Sequence, residues 1–305
     1  MKNSLPEGSA APPVGGIVPL REKNFRLSPE LRAFLHNPAG MAGLTLLLLV
    51  LLMALAAPFI YPDDPLDMVA QPFLWPGQDP NYPLGTDSLG RDVAAGIVHG
   101  AQVSLLIGFS SVLVSLFIGT LTGSLAGYFG GRIDDILVHI TELFQTFPTF
   151  LLVVVLVAIG QPSVGLISCA IGIASWPTIA RLVRAEFRTL RESDFVLAAR
   201  SQGFSSRRII LQEMLPNALP SIIVTTSVMV ASAILIESAL SFLGFGDPNR
   251  ISWGSMIGTG RESLRTAWYL TALPGSVLVL TVLSLNLVGD ALNDALNPRL
   301  RERNA

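Results

Sequence analysis

Charge is scarce in this chain: 14% of its 305 residues are Asp, Glu, Lys or Arg, against about 25% in an ordinary soluble domain. Lysine is rarer still, with none beyond Lys23. A P-loop needs a lysine directly after its glycines to reach the phosphates, so ATP hydrolysis by that route is excluded. One cysteine, Cys169, rules out an intrachain disulfide and a cysteine metal cluster; inside an apolar run, it reads as a small buried hydrophobe. His36, His99 and His139 are far apart, and no paired carboxylates stand at metal-ligand spacing. Neither a catalytic nor a metal site is expected. The net charge of -2 gives no sign of nucleic acid, and no apolar stretch begins near Met1 to form a cleaved signal.

Long uncharged runs are what the chain does have. A bilayer core of about 30 Å takes about 20 apolar residues as a helix, and only helices or closed barrels satisfy the backbone there. Six stretches meet or approach that length: Met41 to Ile60, Val103 to Phe129, Leu143 to Gly160 with an extension back through Ile136, Val164 to Ala180 with Pro177 inside, Leu215 to Ile236, and Leu270 to Gly289. The reading is an all-α membrane protein of six spans. Residues 1–38 hold Pro6, Pro12, Pro13, Pro19, Pro29 and Pro38 with several glycines, and read as a flexible tail.

Cytoplasmic flanks of membrane helices are enriched in Lys and Arg. With the N-terminus inside, 16 of the 20 basic residues fall on that side, among them Arg181, Arg184, Arg188, Arg191, Arg200, Arg207 and Arg208 in one loop. Arg91, Arg250, Arg261 and Arg265 remain outside, and both termini are placed in the cytoplasm. The outer segment from Tyr61 to Gln102 is rich in Asp and Pro, and suits either an ordered external cap with a docking role or a solvated connector.

Ser111, Ser115, Gly119, Gly123 and Gly127 recur every four residues, a small-residue stripe that lets another helix approach closely, in this chain or in a partner. In the basic loop, Asp194 can cap a helix ending at Gly203, Ser205 or Ser206 can cap a second, and Pro216 marks the start of the fifth span. Ala198 and Ala199 make the first of these helices slim on one side. A small rigid basic helix pair fits a cleft on another protein; a solvated positive-inside loop fits equally well. Thr225, Thr226, Ser227 and Ser232 can face an aqueous path or bond back to their own helix. Glu237 and Asp290 sit near span ends. Acids at such depth are suspected of function, so Glu237 reads either as a paired or solvated helix-end group or as a gate.

Leu197-Ala-Ala-x-x-x-Gly203 followed by Leu215-Pro216 resembles the EAA loop of ABC importer permeases, which enters a groove on the nucleotide-binding subunit. Leu197 stands where that motif often has Glu, and Glu213 where it often has Ile. The segments Pro83 to Asp92, Gly127 to Gly131 with Asp134, Ala239 to Gly246, Ser252 to Gly254, Pro274-Gly275 and Asn286 to Asp290 through Asn297-Pro298 resemble the second permease subunit of dipeptide, oligopeptide and nickel transporters. Asn293 and Asn297 depart from the usual Arg and Asp. The resemblance implies the type I ABC importer permease fold, divided into residues 39–100 with the first span and external loop, a permease domain at 101–291 with its coupling loop at 181–216, and a tail at 292–305. It also implies a homologous second permease, one or two ATPase subunits holding ATP and Mg, and a periplasmic or extracellular solute-binding protein. The chain itself would bind no cofactor and, by the same resemblance, would lie in the cell's inner (plasma) membrane. Short peptides are the implied cargo, with nickel chelates, glutathione or opine-like solutes as alternatives. A secondary transporter driven by an ion gradient would show paired repeats with broken helices and midplane acids, and none is evident.

Overall fold

The computed structural model describes residues 29–296; the tail up to residue 28 and the end with Asn297, Pro298, Arg299, Arg301 and Arg303 fall outside the described residues. Among these, the regular elements are all helical, with two isolated bridges. In chain order they are α1 (Pro29–Leu35), α2 (Pro38–Ile60), α3 (Val93–Phe129), α4 (Gly131–Gln145), α5 (Thr149–Ile159), α6 (Val164–Leu190), α7 (Asp194–Ser201), α8 (Ser206–Phe242), α9 (Trp253–Gly260) and α10 (Tyr269–Leu296). Five are long and apolar enough to cross a bilayer, and α4 with α5 makes a sixth crossing if counted as one bent span.

The helix starts follow local chemistry. Asn37 accepts from Gly40 N–H at 3.1 Å ahead of Pro38, whose missing N–H is harmless in a first turn. Asp92 accepts from Ala94 N–H at 2.8 Å, so α3 begins at Val93 and not at the expected Val103. Residues 93–102 therefore belong to the helix, and the segment between α2 and α3 shortens to 61–92. The third expected span is not one helix either. α4 and α5 meet at 81°, because Pro148 bars Phe147 from helical geometry. The 11 residues of α5 reach about 16 Å, half a bilayer core.

Two further expectations change at the loop end. α6 continues through Arg181, Arg184 and Arg188 to Leu190, so the loop proper starts ten residues later than expected. α8 has no break at Pro216: it runs from Ser206 to Phe242 through a π-helical stretch at Ile209–Met214. The proline ring would press on the carbonyl one turn back, and the wider turn, in which Leu215 N–H reaches Ile210 O, relieves it. Cys169 is exposed on α6 and not buried.

The small-residue stripe of α3 lies against α6 of the same chain. Ser111, Ser115, Gly119, Gly123 and Gly127 are all buried, and Ser115 Oγ–H donates to Gly172 O at 2.9 Å. A Cβ on Gly119 would stand 2.6 Å from Ile179 Cβ, and one on Gly127 2.5 Å from Phe187 Cβ. The two backbones touch where side chains ordinarily intervene.

At the other end, segment 61–92 is ordered by its own hydrogen bonds. Thr86, fully buried, donates to Gln71 O at 2.6 Å and accepts from Leu74 N–H at 3.0 Å. Gly85 and Gly90 both have φ +78°, and a Cβ there would collide with Leu74 O and Ala70 O. Tyr269 of α10 ties the segment down, its hydroxyl 2.8 Å from Leu74 O and 2.9 Å from Thr86 O.

Gly123→Val tests the α3–α6 contact: its Cβ would meet Ala180 O at 2.5 Å and Val183 Cβ at 2.8 Å. The expected result is a loss of about 1–3 kcal/mol from overpacking, read as a lower thermal midpoint in detergent. The same change at exposed Gly165, where a Cβ meets nothing within 4 Å, should leave the midpoint within a degree or two of wild type.

Candidate functional site

The loop between α6 and α8 is a compact unit. Its first helix, α7, is preceded by Ser193 in extended geometry, so Ser193, and not Asp194, holds the cap position. Asp194 supplies negative charge to the first turn. The helix ends in a Schellman arrangement: Phe204 N–H reaches Ala199 O at 3.1 Å and Gly203 N–H reaches Arg200 O at 2.9 Å. Gly203 has φ +77°, the left-handed geometry that favours glycine.

The two alanines do not share a face. Ala199 is buried with Val196 against Val183 and Phe187 of α6, Tyr128 of α3, and Ile209, Met214 and Ala218 of α8. Ala198 and Leu197 are exposed, with Phe195 beside them. One face thus joins α7 to three helices, and the opposite face stands free with apolar atoms on it. Leu215 is half-buried and Pro216 exposed where α8 leaves the loop. Basic side chains brace the unit: Arg200 lies 5.1 Å from the Tyr128 ring centroid and Arg208 3.9 Å from that of Phe204.

A pair that sequence spacing does not reveal fixes α4 to α6. Arg184 Nε donates to Asp134 Oδ1 at 2.5 Å and Arg184 Nη2 to Asp134 Oδ2 at 2.8 Å. This two-pronged geometry specifies orientation as well as contact. The partners are 50 residues apart, and each looked like one charge among several in its own segment.

The residues considered for a path fall into two settings. Thr226 Oγ1 donates to Ile222 O at 2.7 Å and Ser232 Oγ to Val228 O at 3.3 Å, so both hydroxyls turn back to their own helix. Ser232, with Thr225, Ser111, Ser115 and Arg181, also lines a cavity of about 530 Å³ between α3, the α4–α5 elbow, α6 and α8. Glu237 is elsewhere. It is 0% exposed, so a solvated helix-end setting does not hold. Its Oε1 accepts from Ser241 at 2.7 Å, and its Oε2 from Ser104 of α3 at 3.2 Å and from Ser238 at 3.4 Å. Ser104 Oγ also accepts from Trp253 N–H at 3.4 Å, and the Trp253 indole donates to Ile97 O at 3.0 Å. The carboxyl group therefore links α3, α8 and α9. At this end too, burial raises the Asp92 carboxyl above its ordinary range, against the lowering effect of the Ala94 and Ala95 amides.

Helices of this number, order and elbow define a class. The chain superposes on the MetNI methionine ABC transporter in an inward-facing conformation with a TM-score of 0.54, covering 66% of this chain and 96% of that one at 18% identity. An amino acid ABC transporter with histidines gives 0.51 at 14% identity, over 65% and 92%. The fold is thus that of the type I ABC importer permeases. Residues 119–302 match the binding-protein-dependent transport system inner membrane component, and residues 31–83 the N-terminal transmembrane domain of oligopeptide transport permease C. The di/tripeptide transport system permease protein DppC of Pseudomonas aeruginosa is 39% identical over 276 residues, 88% of this chain and 91% of that protein. The oligopeptide transport system permease protein OppC of Escherichia coli is 37% identical over 275 residues, 88% and 90%. The chain belongs to this family of inner membrane permeases, in the dipeptide, oligopeptide and nickel branch to which its motifs pointed.

Glu237→Ala should leave Ser104 and Ser241 without their acceptor and open a void between three helices. The expected cost is about 3 kcal/mol, seen as a fall in thermal midpoint and easier proteolysis between α8 and α9. Ser232→Ala, which removes only a bond within one helix, should change neither.

Proposed function

We propose that this chain is one permease subunit of an ATP-driven importer of short peptides. It pairs with a homologous second permease to enclose the path, and each subunit contacts an ATPase; one or two ATPase proteins supply ATP and Mg chemistry from outside this chain. A solute-binding protein delivers cargo at the end carrying segment 61–92, and the α7 loop and both termini lie in the cytoplasm. Residues 39–100 form the first span and outer cap, 101–291 the permease domain, and 292–305 a cytoplasmic tail. Peptide cargo is supported by the names of the relatives, which are di/tripeptide and oligopeptide permeases.

One observation carries the docking role: α7 has a buried face fused to α3, α6 and α8 and a free face bearing Leu197 and Ala198. A helix so anchored cannot move alone. When ATP draws the ATPases together, a force on α7 reaches three spanning helices, and the equilibrium between inward-open and outward-open states shifts. The ligand for that shift is the closed ATPase pair, which prefers one spacing of the two α7 helices.

Two variants test this. Leu197→Asp places a charge on the free face and should weaken ATPase association by about 2 kcal/mol or more, measured by co-purification and by binding in nanodiscs. Gly203→Asp forces a branched-off side chain into left-handed geometry, at about 1–2 kcal/mol, and should uncouple ATP turnover from uptake with membrane insertion intact. Full ATPase assembly and uptake in both variants would contradict the docking role.

A further inference from the structure

Between segment 61–92, the connection from α8 to α9, and α9 itself lies a cavity of about 470 Å³. Arg91, Arg250 and Arg261 line it, three of the four basic residues that the chain places at this end. Asp87, Asp92, Asp247 and Glu262 share the wall. No arginine there is ion-paired: among the described residues the ion pairs are Arg184 with Asp134 and Arg191 with Glu192.

Three of the four acids already accept backbone N–H groups, Asp87 and Asp92 through Oδ1 alone. Asp87 accepts from the backbone N–H groups of Leu89 and Arg91 at 2.8 and 2.9 Å. Asp92 caps α3 at 2.8 Å, and Asp247 accepts from Val164 and Asn249 N–H at 3.1 and 2.9 Å. Glu262 stays exposed at the rim. The donors are the opposite case. Arg91 Nε is buried with no hydrogen-bond acceptor, a costly state for a charged group. Arg261 has one long bond, 3.4 Å to Phe242 O, and stacks on that ring. The cavity thus has acids partly engaged by backbone amides and guanidinium groups without an ion-pair partner.

We propose that this cavity receives the carboxylate of the transported solute on Arg91 and Arg250, as the cargo passes from the binding protein into the path. Guanidinium presents paired N–H groups to a carboxylate in matching geometry. A concave site with a partly buried arginine, Arg91, at its wall suits the end of a small solute, whereas Arg265 lies on the surface outside it. The inference rests on the peptide reading, since a peptide brings a terminal carboxylate.

The test is uptake by the whole transporter in proteoliposomes, comparing a tripeptide with its C-terminal amide. The binding protein's own preference enters wild type and variants alike and cancels in the ratio. Arg91→Met and Arg250→Gln should each reduce the acid-to-amide preference about tenfold, as the loss of one charge-assisted contact does, while Arg265→Gln leaves it unchanged. Arg250 is exposed, so its variant should assemble with ATPase and binding protein as wild type does. An unchanged ratio in both cavity variants overturns the proposal. So does weakened binding-protein affinity at an unchanged ratio, which would assign the cavity to an acidic side chain of that protein. A wild type that takes up neither tripeptide rejects the peptide reading itself, and this site with it.

Discussion

Backbone contact between α3 and α6 is the constraint on which the other placements depend. In a bilayer, apolar side chains gain nothing by leaving lipid for protein, so helices associate through close packing and a few hydrogen bonds. Five small residues in register on α3 and Gly172 on α6 allow that approach along most of the shared length. Both helices exceed the bilayer, α3 at 37 residues and α6 at 27, so their ends project from it as one rigid unit. Everything attached to those ends inherits the rigidity.

At one end that inheritance is mechanical. Phe187 and Val183 of α6 and Tyr128 of α3 form the floor on which Val196 and Ala199 of α7 rest, and the Arg184–Asp134 pair adds α4. At the other end it is polar. Ser104 of α3 holds both the Glu237 carboxyl and the Trp253 backbone, so α8 and α9 are registered to the same helix that carries the floor of α7. A change of tilt at one end has a continuous set of packed groups through which to reach the other. Spatial continuity of this kind is a physical route for coupling.

Much of this was legible from residue types alone. The apolar runs announced the spans, the four-residue repeat marked the tight face, and glycine at 203 pointed to the left-handed turn that is present. What stayed hidden has two physical causes. Boundaries moved where a capping side chain or a proline acted locally: Asp92 lengthened α3, Pro148 broke the third span, and the π-helical turn carried α8 past Pro216. Long-range partners were invisible because nothing in local spacing records them. The 133 residues between Ser104 and Glu237, or the side of α7 on which Ala199 rather than Ala198 falls inward, are properties of the assembled bundle.

Hydroxyl groups illustrate why polar content in a span is a weak guide to a transport path. Thr226, Ser232 and Thr281 all donate to the carbonyl four residues back, a bond that any helix offers and that needs no water. Their presence is therefore compatible with lipid, with protein or with a cavity. Groups that cannot satisfy themselves locally discriminate better. Glu237 takes donors from Ser238 and Ser241 of its own helix and completes the set only with Ser104 of α3, which makes it a fixture of assembly. Arg91 Nε has neither a local nor a distant acceptor, while its neighbours Asp87 and Asp92 each turn Oδ1 to backbone amides. In a structure whose other charged and polar side chains mostly find partners, an unfilled donor on a residue that lines a cavity is the reason for placing the proposed solute carboxylate there.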